Sequence, residues 1–455
     1  MQHPKNIAIV GSGLVGSLLA IYLKRFGHTV TVFDRRPDVR TIEFSGRSIN
    51  LAMSTRGWKA LKEVGIEDEV KQLAIPLDKR AIHVNHQPTV LQKYGKEGEA
   101  IYSISRGLLN RKMISLAEEA GVVFKFEEKI WDVDLSNASL FTGKSEREEW
   151  KTYNFDIVFG ADGAFSRIRH KMQRQSRFEY NQHFLDVGYK ELTIPANEDG
   201  THKLDKNSFH IWPRNEFMLI AMPNIDGSFT CTLFLPFEGK ISFETLTTEE
   251  ELHQFFTKFF PEIMDDIPNL MHDFFKNPTS ALVTTKCFPW IYKDKIALIG
   301  DSAHAVVPFY GQGMNAGFED ISVLSELMET YKDDWNKIFS LYQKERKPNA
   351  DAIAELSYRN FLEMSSKTAD ESFLLRKKIE KFLASKYPDK WIPVYSRVTF
   401  SNRSYSEALL IGDQQSALMD ELMKIEDIKN NWESEFLERK FLELYENSPL
   451  NQFPS

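Results

Sequence analysis

The sequence predicts an α/β fold in which a Rossmann-like domain carries an inserted antiparallel β-sheet and is followed by an α-helical C-terminal region. Three observations predict it: a buried strand leads into a glycine-rich turn near the N-terminus, residues 186–236 change to alternating strands, and the sequence is helical in character from residue 321 almost to its end. The predicted boundaries are 1–75, 100–183 and 285–330 for the Rossmann-like domain, 76–99 and 184–284 for the inserted sheet, and 331–455 for the helical region.

The first element is an apolar strand, residues 6–10, that runs directly into the turn Gly-Ser-Gly-Leu-Val-Gly. In this GxGxxG pattern Gly11 permits the tight turn, Gly13 allows a pyrophosphate to approach the backbone, and Gly16 lets the next helix pack on the strand. Asp34 ends the second strand eighteen residues after Gly16. We therefore expect a bound dinucleotide whose ribose hydroxyls donate to Asp34.

Two later strands also end in an acidic turn. Residues 155–159 lead into Asp162-Gly163, which is typical of a turn that contacts a dinucleotide, and residues 296–299 lead into Gly300-Asp301. After Asp301 we expect a loop through Pro308 and then a glycine-rich helix start. A carboxylate at a strand's end can accept from a ribose or ribityl hydroxyl, and a helix N-terminus offers unpaired N–H groups to an anion. This stretch predicts a second contact with the same cofactor.

Basic residues follow the first acidic turn and begin a later helix. Arg36 and Arg47 lie beyond Asp34, and Arg106 lies at the start of the helix predicted over residues 108–120. Guanidinium groups bind phosphates, and an arginine at a helix N-terminus favours an anionic neighbour. A solvated surface loop remains an alternative for each of these arginines.

Five residues suggest a site for an amino acid or another carboxylate. Arg80 lies in a strand predicted over residues 77–86, and Tyr94 ends a second short segment, so the pair could hold a carboxylate through a guanidinium fork and a hydroxyl. Asn360 and Glu363 share a helix face, and Tyr395 lies in segment 393–400. Without further context a position on the surface is the favoured explanation for all five. An inserted sheet at a domain junction commonly forms the wall of a substrate cavity.

Composition excludes several functions. The 455 residues carry a net charge of -8, which argues against a nucleic-acid partner. The two cysteines, Cys231 and Cys287, form no CxxC pattern, so we expect no metal site and a reducing compartment. The sequence starts almost at once with a strand and contains no apolar run near the ~18 residues of a membrane helix. We expect a cytoplasmic protein with no signal peptide and no membrane partner.

Taken together, the GxGxxG turn, the Asp162-Gly163 turn and Gly300-Asp301-Ser302-Ala303-His304 resemble the class A flavoprotein aromatic hydroxylases over the first 320 residues. Within that group the chain resembles the kynurenine 3-monooxygenase family up to about residue 400, through GRSINLAMSTRG (46–57), SISRGLLNRKM (103–113) and PFYGQGMNAGFED (308–320). The resemblance implies FAD contacts by Val15, Asp34, Arg36, Ala52, Arg106 and Asp301, and by the backbone N–H groups of Met314 and Asn315. It implies substrate contacts by Arg80, Tyr94, Asn360 and Tyr395, and places Phe309 and Tyr310 over the substrate ring.

The resemblance also implies a reaction: NADPH reduces FAD, O2 adds to the flavin as a C4a-hydroperoxide, and L-kynurenine becomes 3-hydroxy-L-kynurenine in tryptophan degradation and NAD biosynthesis. The cofactors would be FAD and NADPH, and a homodimer is left open. Because Tyr310 stands where relatives carry His or Phe, no histidine acid-base is available there. The tail also lacks the apolar anchor of mitochondrial members. Two alternatives are a hydroxylase of another aromatic carboxylic acid and a non-catalytic, redox-sensing FAD protein that binds a protein partner.

Overall fold

The computed structural model describes residues 3–42, 49–84, 87–96, 98–143, 149–366 and 371–453. The strands are β1 (Asn6–Val10), β2 (Thr29–Phe33), β3 (Asn50–Met53), β4 (Ala74–Leu77), β5 (Lys79–Ile82), β6 (Val90–Lys93), β7 (Ile101–Ser105), β8 (Val123–Lys125), β9 (Ile130–Asp134), β10 (Ser139–Thr142), β11 (Lys151–Asn154), β12 (Ile157–Gly160), β13 (Glu179–Ile194), β14 (Ser208–Arg214), β15 (Phe217–Pro223), β16 (Phe229–Pro236), β17 (Ser280–Phe288), β18 (Ile291–Tyr292) and β19 (Ile296–Leu298). The α-helices are α1 (Leu14–Arg25), α2 (Thr55–Glu63), α3 (Glu67–Lys71), α4 (Arg106–Glu119), α5 (Arg167–Met172), α6 (Glu249–Phe259), α7 (Leu270–Lys276), α8 (Asp301–His304), α9 (Gly313–Tyr331), α10 (Trp335–Ser366), α11 (Glu371–Lys386), α12 (Val394–Thr399), α13 (Tyr405–Leu422), α14 (Ile428–Asn431) and α15 (Glu435–Glu446).

The predicted Rossmann-like sheet has the strand order β18-β19-β12-β1-β2-β8. Strand β1 pairs in parallel with β2 and β12, and β19 pairs in parallel with β12. Its central strands β1, β12 and β19 are apolar and buried over nearly their whole length, as expected where helices cover both faces of parallel strands. The carboxyl ends of β1, β12 and β19 therefore meet at one edge, which brings the three glycine-containing turns together.

The inserted sheet has the order β17-β13-β16-β15-β14-β5-β6, with β5 parallel to β14 and the other neighbours antiparallel. The turn at Asp226-Gly227 joins β15 to β16 in an antiparallel hairpin, and Gly227 has a φ of 87°. Alternate residues of β15 point to opposite faces. Leu219 and Ala221 pack with α6 and α7, whereas Met218 and Ile220 line a cavity on the other side.

Two local predictions are wrong. The strand predicted over residues 77–86 is interrupted at Asp78, where the backbone N–H donates to Asn207 O and the carbonyl accepts from Tyr94, so β4 and β5 belong to different sheets. Residues 85–86 lie outside the described part. The loop expected after Gly300 instead begins with the short helix α8, because Gly300 turns the chain with a φ of 60°.

The C-terminal helices α11, α13 and α15 pack around a separate apolar cluster that includes Ile379, Met419 and Phe441. Within the described ranges no helix combines the length and the apolar content needed to cross a membrane. The exact division of the chain into three domains remains a prediction.

Candidate active site

A cavity of about 770 Å³ lies between the edge of the Rossmann-like sheet and the inserted sheet. Its volume is in the range of cofactor and substrate sites. Fourteen of the predicted residues line it: Gly11, Gly13, Val15, Asp34, Arg36, Ala52, Arg80, Arg106, Asp162, Asp301, Phe309, Tyr310, Met314 and Tyr395. Gly16, Tyr94, Asn315, Asn360 and Glu363 are not among the lining residues, and Arg47 lies outside the described part of the chain.

The three glycines of the first turn have different surroundings. A Cβ on Gly11 would lie 2.4 Å from Ala161 O and one on Gly16 would lie 2.0 Å from Gly11 O, so both positions are closed by the protein itself. A Cβ on Gly13 would meet nothing within 4 Å, and its backbone is extended with a φ of -70°. Gly13 therefore leaves open space at the start of α1, which is where a pyrophosphate would lie.

Two of the predicted carboxylates are already engaged by the protein. Asp34 accepts from Ser12 N at 3.0 Å, Ser12 Oγ at 2.7 Å and Arg36 N at 2.9 Å. Burial alone would raise the pKa of Asp34, but its bonds with Arg36 and Ser12 lower that pKa below the ordinary value. Asp162 accepts from Arg167 N at 2.6 Å and from Ser302 Oγ at 3.0 Å, so it joins the start of α5 to α8.

Asp301 and Arg106 differ from those two carboxylates. Both line the cavity, and among the described residues neither side chain has a hydrogen bond or ion pair. Asp301 is the first residue of α8 and Arg106 the first residue of α4. A carboxylate and a guanidinium that both lack partners among the described residues can bind the hydroxyl groups and the phosphates of a ligand.

The start of α9 offers backbone donors. Gly313, Met314 and Asn315 begin this helix, so their N–H groups lack the intrahelical acceptors of later turns. The side chain of Asn315 is buried and donates to Ala52 O at 2.8 Å and to Gly311 O at 2.9 Å. Asn315 thus ties β3 to the helix start through its side chain. Together with open Gly13, free Asp301 and free Arg106, these donors fit FAD in the part of the cavity next to the Rossmann-like sheet, called here the cofactor end.

The opposite part of the cavity, called here the substrate end, holds a cation for which the described residues provide no counter-ion. The guanidinium of Arg80 lies 4.4 Å from the Tyr395 ring centroid and 5.0 Å from that of Tyr94. Its Nε and the Tyr94 hydroxyl are buried, and neither has a hydrogen-bond partner in the described structure. An unpaired buried cation beside an unpaired hydroxyl is costly unless a ligand completes it. A carboxylate would satisfy both groups.

Aromatic rings surround this cation. Tyr395 stacks on Tyr94 and on Tyr310, each with ring centroids 5.6 Å apart. Burial raises the pKa of the Tyr310 phenol well above its ordinary value, so the phenol stays protonated. Phe309 packs against Phe234 of the inserted sheet at 5.2 Å.

The two residues predicted on α10 are not part of the cavity lining and contact neighbouring segments instead. The Asn360 amide donates to Phe309 O at 2.6 Å, which holds the segment that carries Phe309 and Tyr310. Glu363 pairs with Lys377 of α11 at 3.2 Å. Their direct contact with a substrate remains a prediction.

Comparison with known proteins places this geometry in a family. The FAD binding domain family matches residues 5–357. The chain is 71% identical to kynurenine 3-monooxygenase of Christiangramia forsetii over 98% of this chain and 99% of that protein. It is 42% identical to kynurenine 3-monooxygenase of Dictyostelium discoideum over 94% of this chain and 95% of that protein. The chain belongs to the kynurenine 3-monooxygenase family.

The fold of this family member also resembles solved flavin-dependent oxygenases. A tetrameric 2-methyl-3-hydroxypyridine-5-carboxylic acid oxygenase superposes with a TM-score of 0.67 at 19% identity, over 82% of this chain and 95% of that chain. At this identity the likeness concerns the fold alone. It agrees with the predicted α/β architecture with an inserted antiparallel sheet, which is confirmed.

The structure adds a buried ion cluster that sequence reasoning missed. Asp320 of α9 contacts His304 Nε2 at 2.6 Å, accepts from Arg346 Nε at 2.7 Å and accepts from Gly300 N at 3.1 Å. Burial alone would raise the pKa of Asp320, but His304 and Arg346 lower it. The cluster fixes the turn before Asp301 relative to α9. The only sequence signal was an acidic pair, Glu319-Asp320, whose helical position looks like an ordinary solvated face.

Proposed function

We propose that this chain is an FAD- and NADPH-dependent monooxygenase that uses O2 to hydroxylate L-kynurenine to 3-hydroxy-L-kynurenine. The observation that carries the proposal is the buried Arg80, which lines the same cavity as the open Gly13 turn and whose Nε, like the Tyr94 hydroxyl beside it, has no hydrogen-bond partner among the described residues. Relatives between 42% and 71% identical over nearly the whole chain bear the name kynurenine 3-monooxygenase.

The cavity fits an aromatic amino acid in its charge and in its walls. Arg80 would take the carboxylate through its fork, with the Tyr94 hydroxyl as a second donor. Beyond the cation the lining is apolar, with side chains from β15 and β16 that include Met218, Ile220 and Phe234. Phe309 and Tyr310 would lie beside the aromatic ring, and Tyr395 would close the amino-acid end together with Asn360 and Glu363.

FAD would be held by Gly13, Arg106, Asp301 and the backbone donors at the start of α9. When bound, FAD supplies the chemistry that accepts hydride from NADPH and activates O2. The α9 N–H groups would favour negative charge on the cofactor through the positive end of the helix dipole.

The substrate requires little acid-base chemistry from the protein. The aromatic amine of kynurenine donates electrons to the neighbouring ring carbon, which is therefore already nucleophilic. Tyr310 stays neutral and packs on Tyr395, so its task is to position the ring and exclude water. The protein's contribution is orientation, cofactor electrostatics and a dry cavity.

The test is NADPH oxidation by the purified FAD-loaded protein, with and without L-kynurenine under ¹⁸O2, and with product analysis by mass spectrometry. We expect faster oxidation with L-kynurenine and a product that gains one ¹⁸O atom. Acceleration with only H2O2 as product would contradict kynurenine as the substrate and favour another aromatic carboxylic acid. No acceleration by any aromatic acid would favour a non-catalytic FAD protein.

We also propose a cytoplasmic location. Cys231 and Cys287 are both free and buried, as is usual for proteins of a reducing compartment.

A further inference from the structure

Arg56 of α2 is a buried cation that connects distant parts of the chain. Its side chain has no exposed surface, and its Nη1 pairs with Glu319 of α9. Its Nε donates to Val398 O at 3.3 Å and its Nη2 donates to Arg403 O. One side chain thus joins two helices of the FAD-binding region to the backbone at the end of α12 and just before α13.

A second connection runs parallel to the first. The Arg56 guanidinium lies 3.9 Å from the centroid of the Tyr405 ring, and the Tyr405 hydroxyl donates to Gln312 Oε1 at 2.9 Å. Gln312 directly precedes α9, whose first N–H groups face the cavity. The contacts of Arg56 therefore reach the cofactor end of the cavity as well as the C-terminal helices.

The short helix α12 depends on such contacts. It has six residues, and helices of this length have no stability of their own. It carries Tyr395, which stacks on Arg80, Tyr94 and Tyr310 at the substrate end. Val398 is one helical turn beyond Tyr395, so the Arg56–Val398 contact fixes the side of the cavity that would close over the substrate.

We infer that Arg56 is a positioning residue that holds α12, and with it Tyr395, in register with the start of α9. Arg56 touches neither the cavity nor Arg80, so it acts through α12 and Tyr405. The substrate part of this inference rests on the proposed function. Replacing Arg56 by Gln does not leave Glu319 without an ion pair, because Glu319 still pairs with Arg346 Nη1 at 2.6 Å.

The test compares the FAD-loaded parent with Arg56→Gln and with the control Arg359→Gln. Arg359 of α10 also bridges to the C-terminal helices, through Asp413 of α13, but it is exposed, and its ion-pair partners among the described residues are Glu355 and Asp413 rather than residues of α12. For Arg56→Gln we expect stoichiometric FAD, L-kynurenine affinity lowered about tenfold and amide exchange in residues 394–400 faster by about tenfold or more. We also expect a larger share of NADPH consumption to end in H2O2. Arg359→Gln should match the parent in each measurement.

Two further variants keep the inference testable if Arg56→Gln does not fold. Tyr405→Phe removes only the bond to Gln312 and should shift exchange and affinity in the same direction by a smaller factor. Arg56→Lys keeps the charge and should restore part of the affinity. Unchanged exchange in residues 394–400 with unchanged affinity in Arg56→Gln or Tyr405→Phe would overturn the inference. If the parent does not bind L-kynurenine, the proposed function fails, and the exchange rates alone decide whether Arg56 holds α12.

Discussion

At the cofactor end of the cavity two carboxylates are held by protein hydrogen bonds, whereas at the substrate end the central cation has no counter-ion among the described residues. Asp34 and Asp162 each accept several protein hydrogen bonds, and Asp320 fixes the turn before Asp301. The Arg80 guanidinium lies beside the Tyr94 and Tyr395 rings, and its Nε and the Tyr94 hydroxyl have no hydrogen-bond partner in the described part of the chain.

This difference shows how the two ligands are selected. The cofactor end is shaped by backbone geometry that its own hydrogen bonds hold, so it can bind the same cofactor through every catalytic cycle. The substrate end is incomplete without an anion, so the binding energy of a carboxylate is available for recognition. Variants of side chains that have protein partners should therefore lower stability, whereas variants of groups left open for a ligand should lower ligand binding.

The largest expected effect comes from Arg80→Met. Loss of the charge-assisted bonds should weaken L-kynurenine binding by about 2–4 kcal/mol, or roughly 100-fold. The ligand-free protein should keep its melting temperature, because removing this charge leaves no described carboxylate without its ion-pair partner. Flavin absorbance titration and thermal melting measure the two effects. Lys79→Met on the same strand, whose ammonium pairs with Asp205 at 3.1 Å, is the control. Unchanged affinity in Arg80→Met would remove Arg80 from the site.

Gly13→Ala should act at the other end of the cavity. The added methyl meets no protein atom within 4 Å, so the protein should fold normally, but the methyl occupies the space next to the pyrophosphate. We expect FAD affinity to fall by about 1–3 kcal/mol. Gly16→Ala is the contrast, because its methyl would lie 2.0 Å from Gly11 O and should destabilise the fold. FAD content after gel filtration and the melting temperature separate the two cases; full FAD retention by Gly13→Ala would contradict the proposed position of the pyrophosphate.

A smaller effect should distinguish two carboxylates of the same cavity. Asp301→Asn should weaken FAD binding by about 1.5 kcal/mol with little change in stability, because no described residue depends on this carboxylate. Asp162→Asn should instead lower stability by about 1–3 kcal/mol, since it weakens the acceptor for Arg167 N and Ser302 Oγ. FAD titration and chemical denaturation check the pair. The opposite pattern would exchange the roles assigned to Asp301 and Asp162.

The smallest effect is a difference in acid sensitivity between a buried histidine and the buried carboxylates. His83 follows β5 and stacks on Trp212 with ring centroids 4.3 Å apart, and burial, with His210 and Arg214 nearby, lowers its pKa to about 4. The unfolded chain gains a proton at this histidine below about pH 6.5, so its contribution to stability is lost as the pH falls from about 6.5 to 4. Asp34 and Asp320 have lowered pKa values, so their contributions are lost only below about pH 4. Between about pH 6.5 and 4 the melting temperature should fall less in His83→Gln than in the parent, although His28 and His210, whose pKa values are also lowered, still contribute in both proteins. Identical profiles for the two proteins would contradict this assignment.

The same contrast explains how much could be predicted from the sequence. The cofactor end was predictable because each of its turns is a short contiguous motif whose glycines and acids have fixed geometric roles. The substrate end joins residues 80, 94 and 395, which no local pattern connects. Residue types alone made Arg80 and Tyr94 one possible carboxylate pair, and the family resemblance was needed to select this pair and to join Tyr395 to it.

Side-chain partners could not be predicted in either region. The bond of Asp34 to Ser12, the pairing of Glu363 with Lys377 and the inward position of Asp320 all depend on packing between separate elements of the chain. The contacts of Arg56 could not be predicted either, because the residues that bind it lie more than 260 positions away along the chain.

The most direct test of carboxylate binding by Arg80 is a thermodynamic cycle that combines one substitution in the protein with one change in the ligand. The dissociation constants of L-kynurenine and of its decarboxylated amine analogue are measured by flavin absorbance with the FAD-loaded parent and with Arg80→Met. We expect Arg80→Met to weaken the binding free energy of L-kynurenine by about 2–4 kcal/mol and to leave that of the analogue almost unchanged, because only L-kynurenine carries the carboxylate that pairs with Arg80. Equal losses for both ligands would contradict this expectation, since Arg80 would then support the shape of the cavity rather than bind the carboxylate.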